Sequence, residues 1–231
     1  MEGKRLNKQL ISMILTGVMA SASVMANDKA QEKANVEAHD NANVETHVKA
    51  NDKAHWAYSG HAGPEHWGDL AEKYAACSTG KNQSPINITG MVEGDLPQLQ
   101  LNYKPGGNEV LNNGHAIQVN YTSDSIFSVG SKKFELKQIH FHTPSENIIE
   151  GTSYPMEAHF VHADQDGNLA VIGLMFKIGE HNSELDKAWK KMPHEEGEKH
   201  ELSTLVDANA LLPGNRDYYR FNGSLTTPPC S

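Results

Sequence analysis

Gln138-Ile139-His140-Phe141-His142 alternates polar and apolar side chains, the period of an extended strand. On a strand, Gln138, His140 and His142 share one face, while Ile139 and Phe141 turn into an apolar layer. Glu157-Ala158-His159-Phe160-Val161 repeats the pattern, with Glu157, His159 and Val161 together. If the two strands are neighbours, three imidazoles converge from one wall. Three neutral histidines with an open fourth position form the donor set of a catalytic zinc. A closed structural site takes four protein ligands, often including Cys, and the sequence offers no evident fourth. Metal-bound histidine gives its other N–H to a carboxylate, amide or carbonyl. Gln138 beside His140, and Glu157 beside His159, can fill those places. One strand histidine alone reads as a satisfied core or surface residue; the triple spacing carries the metal reading.

A rival metal reading exists. His140-x-His142-x3-Glu146 also fits the first motif of cupins, which hold iron or manganese. Their second motif, Pro-x-Gly-x2-His-x3-Asn, is not met. Pro155 is followed by Met156 and Glu157, and the Asn expected beyond His159 is absent.

The elements that must position these residues are mostly strands. Candidates are Ala116–Tyr121, Ser125–Val129, Glu135–His142, Glu157–Ala163 and Ala170–Lys177, each a short β-prone run. Turn signals separate them: Pro105-Gly-Gly107, Asn113-Gly114 and Asp166-Gly-Asn168. Ser183–Lys191 predicts a helix with Leu185, Ala188 and Trp189 on one face and Ser183 as N-cap. Many strands, few helices and no βαβ rhythm predict a mainly β fold with short helices around a largely antiparallel sheet.

Composition agrees with a packed domain. Of 231 residues, 38% are hydrophobic and 21% charged, and the net charge is −9. That balance argues against wholesale disorder and against a basic nucleic-acid surface. No apolar run reaches the roughly 18 residues of a membrane span. Residues 1–26 have a basic start (Lys4, Arg5, Lys8), an apolar stretch from Leu10 to Ala20, and small residues ending in Val24-Met25-Ala26, the layout of a secretory signal peptide. The alternative is an amphipathic N-terminal helix. Residues 27–54 are low-complexity and polar, with Asn27-Asp-Lys-Ala30 repeated as Asn51-Asp-Lys-Ala54. They lack the apolar groups to offset ordering entropy and read as a linker. His39 and His47 lie there; a metal role or a simple polar repeat are both open. The domain occupies residues 55–231.

Export places the chain in an oxidising compartment, periplasmic or secreted, where Cys77 and Cys230 are expected to pair. The alternative is two unrelated buried thiols.

From His55 to Ser231 the sequence resembles an α-class carbonic anhydrase of the bacterial, secreted type. The motifs occur in order: His55-Trp56-Ala-Tyr58, Gly63-Pro-Glu-His66-Trp67, Asn82-Gln-Ser-Pro85-Ile-Asn-Ile88, Asn112-Asn-Gly-His115, the two His strands, and Ser224-Leu-Thr-Thr-Pro-Pro229. The resemblance implies a large twisted sheet with a conical zinc cleft. It implies reversible hydration of CO2 to bicarbonate and a proton by a zinc-bound hydroxide, with Zn2+ held by His140, His142 and His159. Thr226 would take the hydroxide's hydrogen, give its own to Glu146, and offer its backbone N–H to substrate. Val161, Val171 and Leu225 would form the apolar wall for CO2, and Thr227 would line the bicarbonate exit. His115 would export the proton, its ordinary pKa near 6.5 suiting transfer to buffer.

The remaining histidines receive plainer readings. His61 and His66 are rim candidates. His162 faces away from His159, and His181, His194 and His200 read as solvated. In the family the chain continues past the Thr-Thr-Pro-Pro loop, so the C-terminal strands are expected to be missing and the activity of the shortened chain to be low. A non-catalytic zinc- or ligand-binding relative, or an inactive fragment, is the alternative function. Neither a nucleic-acid partner nor a membrane span is expected in the mature chain, and the sequence leaves the oligomeric state open.

Overall fold

The computed structural model describes residues 55–122 and 124–231, together with the backbone of 11–16. The linker 27–54, and most of the expected signal peptide, lie outside the described residues.

The elements run in chain order as follows. β1 is Ile11–Thr16. Short helices α1 (Trp67–Leu70) and α2 (Ala76–Thr79) follow, with single 3-10 turns at Gly60–Ala62 and Glu72–Tyr74. Then come β2 (Asn87–Ile88), β3 (Gln100–Asn102), β4 (Gly107–Asn112), β5 (Ile117–Tyr121), β6 (Ile126–Val129), β7 (Lys132–His142) and β8 (Ile148–Ile149). β9 (Met156–Ala163), β10 (Leu169–Phe176), α3 (Ser183–Trp189), β11 (Lys199–Val206), α4 (Ala208–Leu211) and β12 (Tyr218–Phe221) complete the domain.

Among the described residues, ten strands form one sheet, ordered β11-β4-β5-β7-β9-β10-β1-β12, with β6 beside β7 and β3 beside β6. Every pair is antiparallel except β1 with β12. β2 and β8 make a separate two-stranded parallel ribbon. The mainly antiparallel, mainly β architecture expected from the sequence is therefore present.

Alternation in β7 and β9 creates the two faces. Ile139, Ala158 and Phe160 are fully buried on one side, joined by Val119, Leu136 and Ile172. Each of the larger of these, Ile139, Phe160, Val119, Leu136 and Ile172, contributes about 1.5–3 kcal/mol by leaving water. This apolar layer fixes the register, because a one-residue slip would turn the core side chains outward. A bulge between Leu136 and Gln138 interrupts the β7–β9 ladder just before the His segment.

Three sequence readings need correction. Asn182, not Ser183, caps α3: its Oδ1 accepts from the Glu184 and Leu185 amides at 3.0 and 3.1 Å. Asn182 is the better placed of two adjacent polar residues, because its backbone is extended while Ser183 is already helical. The helix also ends at Trp189, two residues early. His200 is not simply solvated. It is half-buried, its Nδ1 2.8 Å from Lys191 O and its Nε2 2.9 Å from Glu198 Oε1.

β1 comes from the stretch read as the apolar core of a signal peptide. It pairs antiparallel with β10, Ile14 opposite Val171, and parallel with β12, Ile14 opposite Phe221. A short run rich in Ile, Leu and Met suits a strand as well as a leader core.

Candidate metal centre and active site

β7 and β9 are antiparallel neighbours, with His140 opposite His159 and His142 opposite Glu157. The histidine spacing thus becomes a cluster across one ladder. Ring centroids are 4.9 Å apart for His140 and His142, 5.1 Å for His140 and His159, and 4.7 Å for His142 and His159. One nitrogen from each ring lies within 4.8 Å of the others, a spacing suited to one shared cation.

The outer nitrogen of one ring is hydrogen-bonded and that of a second faces a carboxylate. His140 Nδ1 is 2.9 Å from Gln138 Oε1, so Nδ1 carries the proton and Nε2 offers its lone pair. His159 Nε2 is 3.0 Å from Glu157 Oε1, which leaves Nδ1 for the centre. His142 Nε2 is buried without a hydrogen-bond partner and sits 3.4 Å from Glu146 Oε2, itself unpartnered; His159 Nε2, close to Glu157 as it is, makes no well-aimed hydrogen bond to it. An orphaned buried polar atom costs about 1–3 kcal/mol. A metal ion between the rings removes that cost for His142, so the residues fit zinc.

Electrostatics favour the neutral imidazoles a metal binds. Burial, then the His159 and His142 rings, hold His140 well below the usual histidine range. Burial and His159 take His142 down to about 3. His159 differs: burial opposes its charge, but the Glu157 and Glu146 carboxylates outweigh burial and raise it. Glu157 is fully buried. Burial disfavours its charge, yet His159 and Asn147 more than compensate and its pKa falls. Glu146 is pushed up, chiefly by burial, against the His159 ring and a hydrogen bond from the Thr226 hydroxyl.

Thr226 stands in the loop after β12, with Leu225 and Thr227 half-buried on either side. Ser84 and Ser224 bind that loop reciprocally: each backbone N–H donates to the other's Oγ, at 3.0 and 3.2 Å. Gln83 Nε2 donates to Cys230 O at 3.2 Å. The expected cystine is formed, Cys77 on α2 to Cys230, with Cα atoms 5.0 Å apart. Val161 and Val171 face each other across β9 and β10.

His115 follows the β4–β5 turn. Gly114 there has φ +84, a left-handed conformation that favours glycine. Asn113 Oδ1 accepts from the His115 and Ala116 amides at 3.0 and 2.7 Å and shapes the turn. The His115 ring contacts Trp56 and Tyr58, not the triad. Burial and the charge of His55 lower its pKa against Glu196.

Residue reading missed Asn147, the Ser84–Ser224 tie and the partner of His115. Asn147 follows Glu146 in a loop, where no periodicity marks it. Its signal lies only in being a buried amide beside two carboxylates.

Comparison with known proteins agrees with the geometry. The family model described as eukaryotic-type carbonic anhydrase matches residues 62–231. A carbonic anhydrase of Neisseria gonorrhoeae is 51% identical over 178 residues, 77% of this chain and 70% of the relative. The α-carbonic anhydrase of Thermovibrio ammonificans, solved with the inhibitor sulfanilamide, is 51% identical with a TM-score of 0.76, covering 78% of this chain and 80% of that one. A hyperthermostable carbonic anhydrase from a hydrothermal vent chimney is 53% identical with a TM-score of 0.75, covering 77% and 79%. With an antiparallel sheet that gathers three histidines, and relatives of this identity over most of the domain, the chain belongs to the eukaryotic-type, or α, carbonic anhydrase family.

Proposed function

We propose that this zinc enzyme hydrates CO2 reversibly with His140, His142 and His159 as its metal ligands. The observation that carries the assignment is the cluster itself: three ligand nitrogens within 4.8 Å, one ring hydrogen-bonded from behind by Gln138 and another backed by the Glu157 carboxylate at 3.0 Å. Zinc, when bound, supplies a Lewis acid that lowers the pKa of water to about 7; carbonic anhydrase is the standard instance of that effect.

The chain's own residues do the rest. A carboxylate only accepts, so the Thr226 hydroxyl proton points at Glu146 and its oxygen keeps lone pairs for the attacking group. That fixes the orientation of attack. Val161 and Val171 offer a surface without hydrogen-bond donors, extended by Leu225, which suits a substrate without a dipole. Thr227 lines the exit of bicarbonate. His115 carries the released proton to buffer, and its position by the Asn113-Gly114 turn supports that role. Intact ligands together with the Thr226–Glu146 bond favour an enzyme over a non-catalytic binding relative.

We also propose export, with residues 1–26 as leader, 27–54 as a polar tether and the domain beginning at His55. The basic start, the apolar run and the cystine support it. The mass of the mature chain tests this reading and shows whether β1 is retained.

For the catalytic assignment, stopped-flow CO2 hydration is measured with zinc content in His159→Ala. Loss of most metal and rate is expected, as is sulfanilamide inhibition of the unaltered enzyme. Full zinc occupancy and an unchanged rate in the variant would overturn the assignment.

A further inference from the structure

Asn147 and Glu157 are both fully buried, and Asn147 grips Glu157 through two hydrogen bonds. The Asn147 backbone N–H donates to Glu157 Oε2 at 2.8 Å, and its side-chain Nδ2 donates to Glu157 Oε1 at 2.8 Å. On the far side, Asn147 Oδ1 accepts from the Ile86 backbone N–H at 2.9 Å. The amide orientation is fixed, since Ile86 N–H can only donate and the carboxylate can only accept. A side chain here must therefore present an acceptor to one neighbour and a donor to the other. Asp would set a second carboxylate against Glu157; Ala would supply neither group.

The bonds continue in both directions. Glu157 Oε1 lies 3.0 Å from His159 Nε2. Ile86 is two residues from Ser84, which is tied to Ser224 beside the Thr226 loop. Glu146, the neighbour of Asn147, takes the Thr226 hydroxyl. The circuit closes on itself: Thr226, Glu146, Asn147, Ile86, Ser84, Ser224 and back to Thr226. The carboxylate that orients His159 hangs from this circuit at Asn147.

We infer that Asn147 is a positioning residue, clamping Glu157 so that His159 presents Nδ1 to the metal, and anchoring that clamp on the Ser84–Ile86 segment. It touches neither substrate nor metal. The inference deepens the proposed function and rests on the zinc reading of the triad. Partners of metal-bound histidine typically govern affinity by about 10–100-fold. Asn147 acts one bond further out, through both carboxylate oxygens.

The test uses the zinc-loaded full chain and the variants Asn147→Ala and Asn147→Ser. Serine keeps a small polar group but ends one bond short of the positions of both Oδ1 and Nδ2, so it loses the side-chain bonds to Ile86 and to Glu157. Val110→Ala is the control for general loosening, because Val110 is fully buried on β4 away from the clamp. Zinc transfer to a chromophoric chelator is timed well below each variant's thermal midpoint, and the visible spectrum is recorded for the cobalt-substituted forms. Both Asn147 variants are expected to release zinc about 10–100-fold faster and to show altered cobalt bands. Val110→Ala is expected to lower the thermal midpoint without changing either readout. Wild-type release rates in both Asn147 variants would overturn the inference. Equal acceleration in Val110→Ala would do so too, as would failure of both Asn147 variants to fold with zinc in excess. An unaltered protein that binds no stoichiometric zinc would instead sink the reading of the triad.

Discussion

The rings of Trp56 and His115 stack, with centroids 3.6 Å apart and planes 14° from parallel. Trp56 is held in turn by the edge of Trp67 at 5.2 Å, and the Trp67 indole N–H donates to Ala57 O and Ala62 O. His115 thus leans on an aromatic wall built from the N-terminal segment. Burial is the leading cause of its lowered pKa. In Trp56→Ala the His115 resonance is expected to titrate higher, nearer its ordinary value, when followed by NMR against pH. A titration unchanged from wild type would show that Trp56 is not what covers the ring.

On the proposed reading, His115 acts only after carbon has been attacked. In His115→Ala, kcat in weak buffer is expected to fall by up to about 100-fold, the low end of what a positioned proton carrier contributes. Added imidazole restores part of it, and kcat/KM stays near wild type. An equal, unrescued fall in both quantities would assign His115 a different role.

Buried His162 sets an acid limit on stability. Its Nδ1 is 3.0 Å from Ala170 O, which can only accept, so Nδ1 carries the proton and Nε2 accepts from the Tyr103 hydroxyl at 2.7 Å. Burial takes its pKa from 6.5 to about 4. Between those values the unfolded chain binds a proton that the folded chain does not, so stability rises with pH across the window. Acidification from 6.5 to 4 is expected to cost about 3 kcal/mol from this residue, and stability is flat in this respect above 6.5. Denaturant midpoints of His162→Gln should be lower than wild type at pH 8 yet fall less steeply on acidification. Parallel pH profiles for the two proteins would refute the assignment.

The cystine links residues 153 positions apart. Chain entropy puts its contribution at about 5 kcal/mol, an upper figure. Cys77→Ser with Cys230→Ser is expected to lower the thermal midpoint and to weaken activity through the Thr226 loop. Midpoints and rates equal to wild type would show the loop to be held by its hydrogen bonds alone.

The metal cluster was legible because strands β7 and β9 print their faces as alternation, and the apolar partners Ile139 and Phe160 are unambiguous. Strands β4, β11 and β12 were not foreseen. In β11, Lys199-His-Glu-Leu-Ser-Thr-Leu-Val206 buries only Leu202 and Val206, too sparse a pattern at the sheet edge. The cap of α3 slipped by one residue because Asn182 and Ser183 are both good caps, and only the backbone chooses between them. Asn147 could not be read at all, since its partners Ile86 and Glu157 come from distant positions and meet only through the fold. Resemblance supplied His115 and Thr226, but not the Trp56 stack or the Ser84–Ser224 tie.

Cys77 and Cys230 also turn the site into part of a covalent macrocycle. His115, His140, His142, Glu146, His159 and Thr226 all fall inside the ring that their bond closes. Two strands of connectivity, backbone and sulfur, therefore join any two of these residues. One peptide cut inside the ring opens it into a line without dividing it, and a nicked molecule stays a single species until a reductant reaches the sulfurs.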